Sequence, residues 1–181
     1  MTITEEKKRI RQKVAAILTA IPEREKRTEA VVRRALSYVE DNGFTSVALY
    51  LSVGNELSTK TLVAALLQKN VTLSVPVVTG EGEMVFSLLN ENTVFRKGAF
   101  GIPEPKDIVP IQDFDVMFVP LVAFDKNNDR LGHGKGYYDR FFERAAVSPR
   151  TKKIGLAFAE QKVSSVPCEK TDVRLDDVFF E

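Results

Sequence analysis

VMFVPLVAFDKNNDRLGHGKGYYDRFF, residues 116–142, is the stretch from which the fold can be read. It opens on four apolar residues, Val116–Val119, a run of the length and composition of a buried strand. Pro120 closes the run, because a proline has no N–H to give to a ladder. The polar residues 125–130 that follow read as a loop. Gly132, Gly134 and Gly136 then alternate with His133 and Lys135, and Tyr137, Tyr138, Phe141, Phe142 and Ala145 fall on one face of a helix. Strand, glycine loop and helix in that order form a unit of an α/β fold, and the unit is suited to holding an anion. Glycines reach positive φ and let a ligand approach the backbone, while the helix start presents free N–H groups and a positive dipole end. Arg130 and Lys135 add positive charge, and Asp139, in the first helical turn, can hold a cation that phosphate oxygens also bind. The spacing is neither that of a P-loop nor that of a dinucleotide fingerprint, so the loop alone leaves a structural turn open.

Working outward, residues 47–51 make a second apolar run, residues 71–75 a third that Pro76 should close, and a helix carrying Leu62, Leu66 and Leu67 inward lies between them. A strand-helix-strand unit of this kind implies parallel pairing through a right-handed crossover. Residues 84–88 read as a further strand at a possible edge, and residues 154–159 and 178–180 as two more. Upstream, Thr4 is the expected cap of a first helix with the stripe Ile10, Val14, Ile17 or Leu18, and Ile21. Pro22 is expected to start a second helix, burying Val31, Ala35 and Tyr38 or Val39 and ending at Gly43. Residues 93–105 hold too much Gly and Pro for either regular element, and so long a loop is often functional.

The bulk numbers narrow the function. The 181 residues suffice for one domain with a full core. A net charge of +1 lacks the basic excess of a dedicated nucleic-acid binder, so an anion site must be local. No apolar run approaches a membrane span, and the charged N-terminus lacks the apolar core of a signal peptide. One cysteine, Cys168, allows no intrachain disulfide and suggests a reducing compartment; it reads as a small buried or semi-exposed residue rather than a nucleophile. One histidine, His133, rules out a multi-histidine metal site.

Several residues have two readings. Lys7 and Arg11 share a helix face, as a solvated basic stripe or as a pair converging on one anion. Glu56 follows a strand end, where ligands of parallel sheets gather, but it also fits an ordinary surface loop. Phe95, Arg96 and Phe100 either line a pocket for a flat ring or plug the core. Asp172 and Asp176 suit turns.

Together these pieces resemble the 5-formyltetrahydrofolate cyclo-ligase family, also called methenyltetrahydrofolate synthetase, over residues 7–179. The most specific part is FDKNNDRLGHGKGYYD, residues 124–139, supported by Lys7-x-x-x-Arg11, by LSVGNE at 51–56, by FGIPEP at 100–105 and by Asp172. The resemblance implies a single three-layer α/β/α domain with a mostly parallel central sheet. It implies an ATP- and Mg2+-dependent conversion of 5-formyltetrahydrofolate to 5,10-methenyltetrahydrofolate, ADP and phosphate; a catalytically idle folate- or nucleotide-binding relative is the alternative. Carried over residue by residue, Lys7 and Arg11 meet ATP phosphates. Arg130, Leu131, Gly132, His133, Gly134, Lys135, Gly136, Tyr137 and Tyr138 wrap the nucleotide, with Lys135 and Arg130 as the catalytic cations. Asp139 and Asp172 hold Mg2+, and Leu51, Glu56, Phe100 and Tyr138 meet the reduced folate, with Phe86 a further candidate wall. A cytoplasmic monomer that binds neither nucleic acid nor membrane is expected. If His133 neutralises phosphate charge, activity should fall as pH rises through the titration of its imidazole; otherwise it only lines the loop.

Overall fold

All four residues of Val116–Val119 are buried, as a strand covered on both faces requires. The computed structural model describes residues 2–144 and 147–181. In chain order the elements are α1 (Ile3–Leu18), α2 (Arg24–Asp41), β1 (Ser46–Leu49), α3 (Lys60–Leu67), β2 (Thr72–Gly80), β3 (Glu83–Leu89), β4 (Phe95–Lys97), β5 (Pro103–Pro105), β6 (Pro110–Ile111), β7 (Val116–Val119), β8 (Ala123–Phe124), β9 (Arg130–Leu131), α4 (Tyr137–Arg144), β10 (Lys152–Ala157) and β11 (Asp177–Phe180). Ala145, expected on the face of α4, lies outside the described residues.

Seven strands form one sheet in the order β11-β10-β7-β1-β2-β3-β6. The first five run parallel, while β3 is antiparallel to β2 and β6 to β3. Alternation along each strand divides the core. Val47, Leu49, Phe118, Ile154 and Leu156 face α1, α2 and α3, meeting Val14, Val31, Ala35, Leu62 and Leu66. Ala48, Met117, Val119 and Val178 face the other way, toward Phe86, Phe114 and the aromatic side of α4. The result is a three-layer α/β/α fold with a mostly parallel sheet. From β1 the chain crosses through α3 to β2 on one side, and β7 lies on the other. Strand order therefore reverses at β1 and β7, whose carboxyl ends open a crevice.

Several boundaries differ from expectation, each for a local reason. Thr2, not Thr4, caps α1: its hydroxyl accepts from Glu5 N–H at 3.2 Å while the Glu5 carboxylate accepts from Thr2 N–H at 2.7 Å, a reciprocal box. Pro22 does not open α2, because Glu23 intervenes in a left-handed conformation, φ 47°. Gly43 ends that helix at φ +63°, as expected. Strand β1 stops at Leu49, since the Thr59 hydroxyl takes the Tyr50 carbonyl at 2.8 Å and accepts from Ser52 N–H at 3.1 Å. β2 runs through Pro76 to Gly80, because pairing with β1 has already ended at Ser74. The Val78 N–H, two residues on and directed to the same side, goes to the Glu104 carboxylate at 3.0 Å. The proline thus occupies an edge-like position where no ladder bond is lost. β3 is not an edge, being covered by β6. Residues 93–105 do contain regular structure, the hairpin β4–β5 around a single 3-10 turn. Among the described residues no helix is long and apolar enough to cross a membrane.

Candidate active site

The crevice at the carboxyl ends of β1 and β7 is a cavity of about 690 Å³. Tyr50 and Leu51 continue from β1 into its wall, Pro120 from β7, and the loop between β9 and α4 crosses its mouth. Most of the residues that the sequence offered for the site line it: Lys7 and Arg11 from α1, Leu51 and Glu56 after β1, Phe100 from the β4–β5 turn, the run 130–139, and Asp172.

The glycine loop is built for close approach. Gly134 has φ +95° and Gly136 φ +67°, conformations that side chains rarely adopt. A Cβ at Gly134 would stand 3.2 Å from the Arg11 guanidinium carbon, and one at Gly136 would stand 2.9 Å from Arg140 Nη1. Helix α4 follows at once, so its unpaired first-turn N–H groups face the same region.

Cations surround this loop at different depths. Arg130 is the most enclosed, its side chain 3% exposed; it donates to Pro120 O at 3.1 Å and Asp139 Oδ1 at 2.7 Å, and its Nε has no partner among the described residues. Its guanidinium lies 5.6 Å from the centre of the Tyr138 ring. Lys7 is held by Asp172 at 2.6 Å and Glu169 at 2.8 Å. Burial opposes charge on its ammonium, but the two carboxylates outweigh that and raise its pKa. Arg11 donates through Nε to Gly132 O at 2.8 Å, and burial lowers its pKa, countered in part by Asp172. Lys135 is exposed and stands 5.5 Å over the Phe100 ring.

Other lining residues suit a flat, partly polar group. Met84, Ile102, Pro76 and Val78 give an apolar wall. Phe100 is held at φ 57°, 59% exposed and edge-on to Tyr137 at 5.9 Å. The Tyr138 hydroxyl is buried without a partner among the described residues, and burial raises its pKa. Glu56 accepts from Val53 N–H at 2.8 Å, and its other oxygen meets His133 Nε2 at 2.9 Å. The single histidine therefore faces a carboxylate across the crevice.

Some assignments need correction. Phe86 is not a wall: it is 1% exposed, behind Tyr138 and against Phe114 and Phe141. Phe95 lies outside the cavity, and Arg96 faces Glu104 at 3.7 Å, leaving Phe100 as the pocket residue of that trio. Cys168 is exposed rather than buried or semi-exposed; partial desolvation with Asp129, Asp172 and Asp125 nearby pushes its thiol up to about 11, in keeping with a residue that is not a nucleophile. Glu169, Glu104 and Arg140 line the cavity without having been singled out. Only Arg140 carried a signal, its position four residues after Gly136 on the helix face that follows the loop.

Among the described residues no three His, Cys, Asp or Glu side chains converge, so an all-protein cage is absent. Asp139 uses Oδ1 for Arg130, and Asp172 uses Oδ2 for Lys7. Each keeps one oxygen free of protein hydrogen bonds among the described residues. That set fits Mg2+, which takes one or two carboxylates and fills its octahedron with phosphate oxygens and water.

Residues 3–181 match the model of the 5-formyltetrahydrofolate cyclo-ligase family. The chain belongs to that family. A 5-formyltetrahydrofolate cyclo-ligase of Haemophilus influenzae is 34% identical over 188 residues, covering 97% of this chain and 98% of that one. A probable 5-formyltetrahydrofolate cyclo-ligase of Caenorhabditis elegans is 31% identical, covering 99% and 94%. The solution structure of a 5,10-methenyltetrahydrofolate synthetase from Aquifex aeolicus superposes with a TM-score of 0.82 at 31% identity, over 96% of this chain and 89% of that one. A Mycoplasma pneumoniae synthetase shares the fold, with a TM-score of 0.74 at 23% identity over 99% and 98%. The cyclo-ligase family is a family of ligases, and this chain spans nearly the full length of the members above.

Proposed function

We propose that this chain uses ATP and Mg2+ to convert 5-formyltetrahydrofolate to 5,10-methenyltetrahydrofolate, releasing ADP and phosphate. What supports this most is convergence. Residues 7, 11, 51, 56, 100, 130–139 and 172, assigned by resemblance to phosphate, metal and folate, come from separate segments and line one cavity.

The formyl oxygen attacks the γ-phosphorus of ATP and ADP leaves; N10 closes on the activated formyl carbon, and phosphate departs with the former formyl oxygen and takes up the proton that N10 loses. Phosphoryl transfer asks the protein for position and neutralised charge rather than covalent chemistry. The amides of the glycine loop, Arg130, Lys135, Lys7 and Arg11 supply both around the triphosphate. Asp139 and Asp172 would hold Mg2+, whose charge offsets that of the phosphates. An arriving phosphate competes with Asp172 and Glu169 for the Lys7 ammonium. Ring closure is intramolecular, so it depends on holding N10 beside the formyl carbon. Glu56, Leu51, Phe100 and Tyr138 do this by gripping the pterin, with the unpartnered Tyr138 hydroxyl offering one hydrogen bond. His133 must then release Glu56, or share it, when the pterin enters.

The test is absorbance of methenyltetrahydrofolate from 5-formyltetrahydrofolate with and without ATP and Mg2+. Product only with both is expected. No ATP-dependent product would leave the chain as an idle folate- or nucleotide-binding relative.

A further inference from the structure

Arg140, on the first turn of α4 after the glycine loop, joins three segments. Its Nε donates to Gly82 O in the β2–β3 turn at 3.0 Å, its Nη2 donates to Lys135 O in the glycine loop, and its guanidinium lies 5.5 Å from the centre of the Tyr137 ring. Space has been cleared for it from both sides. A Cβ at Gly82, φ +72°, would fall 2.6 Å from Nε, and one at Gly136 2.9 Å from Nη1.

The peptide plane turns these contacts into a statement about the loop. A carbonyl and the N–H of the next residue point in opposite directions across a trans peptide. Holding Lys135 O on Arg140 therefore directs the Gly136 N–H away from that guanidinium. At the other end of the loop Arg11 holds Gly132 O at 2.8 Å, which directs the His133 N–H away in the same manner. The amides of His133, Gly134, Lys135 and Gly136 donate to no protein acceptor among the described residues. A loop whose carbonyls are drawn off and whose amides are unspent is set to receive an anion. Were either carbonyl free to turn inward, it would repel phosphate.

We propose that Arg140 is a positioning residue for nucleotide binding: it clamps the glycine loop to the β2–β3 turn and fixes the peptide between Lys135 and Gly136 with its amide available to phosphate. Arg11 does the same for the peptide after Gly132. The inference rests on the nucleotide reading above and adds to it how the loop is held.

The experiment compares wild type, Arg140→Leu, Arg140→Lys, Gly82→Ala and the double variant Arg140→Leu/Gly82→Ala. Two readouts are used: ADP binding by calorimetry, and hydrogen exchange of ligand-free protein over residues 80–84 and 132–138. Arg140→Leu should weaken ADP binding by roughly ten- to hundredfold, as a misplaced loop would, and leave the KM for the folate unchanged. Arg140→Lys should not rescue it, because an ammonium lacks the fork that spans two carbonyls. Gly82→Ala should speed exchange in the glycine loop although it touches no loop residue, and in the Arg140→Leu background it should cost no further ADP affinity. ADP affinity within twofold of wild type, equal losses for ADP and folate, or additive effects of the two substitutions would overturn the inference. Should wild type itself bind no ADP, the nucleotide reading fails, and the clamp is then judged on exchange alone: unchanged exchange at 132–138 in Arg140→Leu overturns it.

Discussion

Removing Asp139 separates what the site does for stability from what it does for chemistry. Arg130 and Asp139 meet at 2.7 Å with side chains 3% and 24% exposed, one partner thus fully enclosed and the other mostly so. Among the described residues, Asp139→Ala leaves the Arg130 guanidinium with Pro120 O as its one acceptor and an unpaired charge inside the protein. Breaking a buried pair from one side costs about 3–5 kcal/mol; partial exposure of Asp139 places this case near the lower figure, about 3 kcal/mol. For a chain of this length that corresponds to a fall in Tm of roughly 6–12 °C. The double variant Arg130→Met/Asp139→Leu removes both charges and fills the space with apolar atoms, so its stability should return to within about 1 kcal/mol of wild type. Urea unfolding followed by circular dichroism measures all three proteins, and the methenyltetrahydrofolate assay measures their turnover. Expected are a destabilised single variant, a recovered double variant, and no turnover in either. A single variant as stable as wild type, or a double variant no better than the single, would refute the claim that a desolvated charge is what Asp139 balances. Recovered turnover in the double variant would refute the role of the two groups at the phosphates.

Other outcomes follow from the same structure. Lys135→Ala should abolish turnover and leave the melting temperature within about 1 °C, because the side chain is exposed and makes no salt bridge among the described residues. Gly155→Ala on β10 should cost about 1–3 kcal/mol in unfolding experiments, since its Cβ would stand 2.5 Å from Leu121 Cδ2 and 2.9 Å from Leu175 Cδ1, both in the core. Partial burial disfavours the Asp115 carboxylate, but hydrogen bonds from Thr45 and Ser46 outweigh it and hold its pKa below the usual 3.8. A depressed folded-state pKa gives stability that is present above pH 3.8 and lost as pH falls through the lower folded value. The stability gap between wild type and Asp115→Asn should therefore hold at neutral pH and close in acid titrations below pH 3.8. Chelation of divalent ions should stop turnover, and Mg2+ should restore it; undiminished activity after exhaustive chelation would contradict the role given to Asp139 and Asp172.

The parts of the fold that were legible are those where local chemistry leaves one outcome. Val116–Val119 can only be a buried strand, and glycines at 132, 134 and 136 before an aromatic helix face can only be a loop that turns sharply. Parallel pairing followed from the helix between two apolar runs. Boundaries failed where a side chain just outside the element intervened, as when the Thr59 hydroxyl took the Tyr50 carbonyl and β1 ended at Leu49. Pro76 misled because a proline stops a strand only where a ladder bond is needed, and whether β1 extends that far depends on sheet register. The site residues were legible as members of one place, but their contacts were not. Lys7 is held by residues 162 and 165 positions away, and no pattern around Lys7 announces Glu169 or Asp172. Phe86 was misplaced because an aromatic on a strand of unknown orientation has equal claim to pocket and core.

A crystal structure of the protein with a non-hydrolysable ATP analogue, Mg2+ and 5-formyltetrahydrofolate bears most directly on the central claim that one crevice at the ends of β1 and β7 gathers triphosphate and pterin. Phosphate oxygens within hydrogen-bond reach of the amides of 133–136 and of Lys135 Nζ, with the pterin between Glu56, Phe100 and Tyr138, is the expected result. Nucleotide bound elsewhere on the protein, or a folate whose formyl group lies beyond reach of the γ-phosphate, would contradict it.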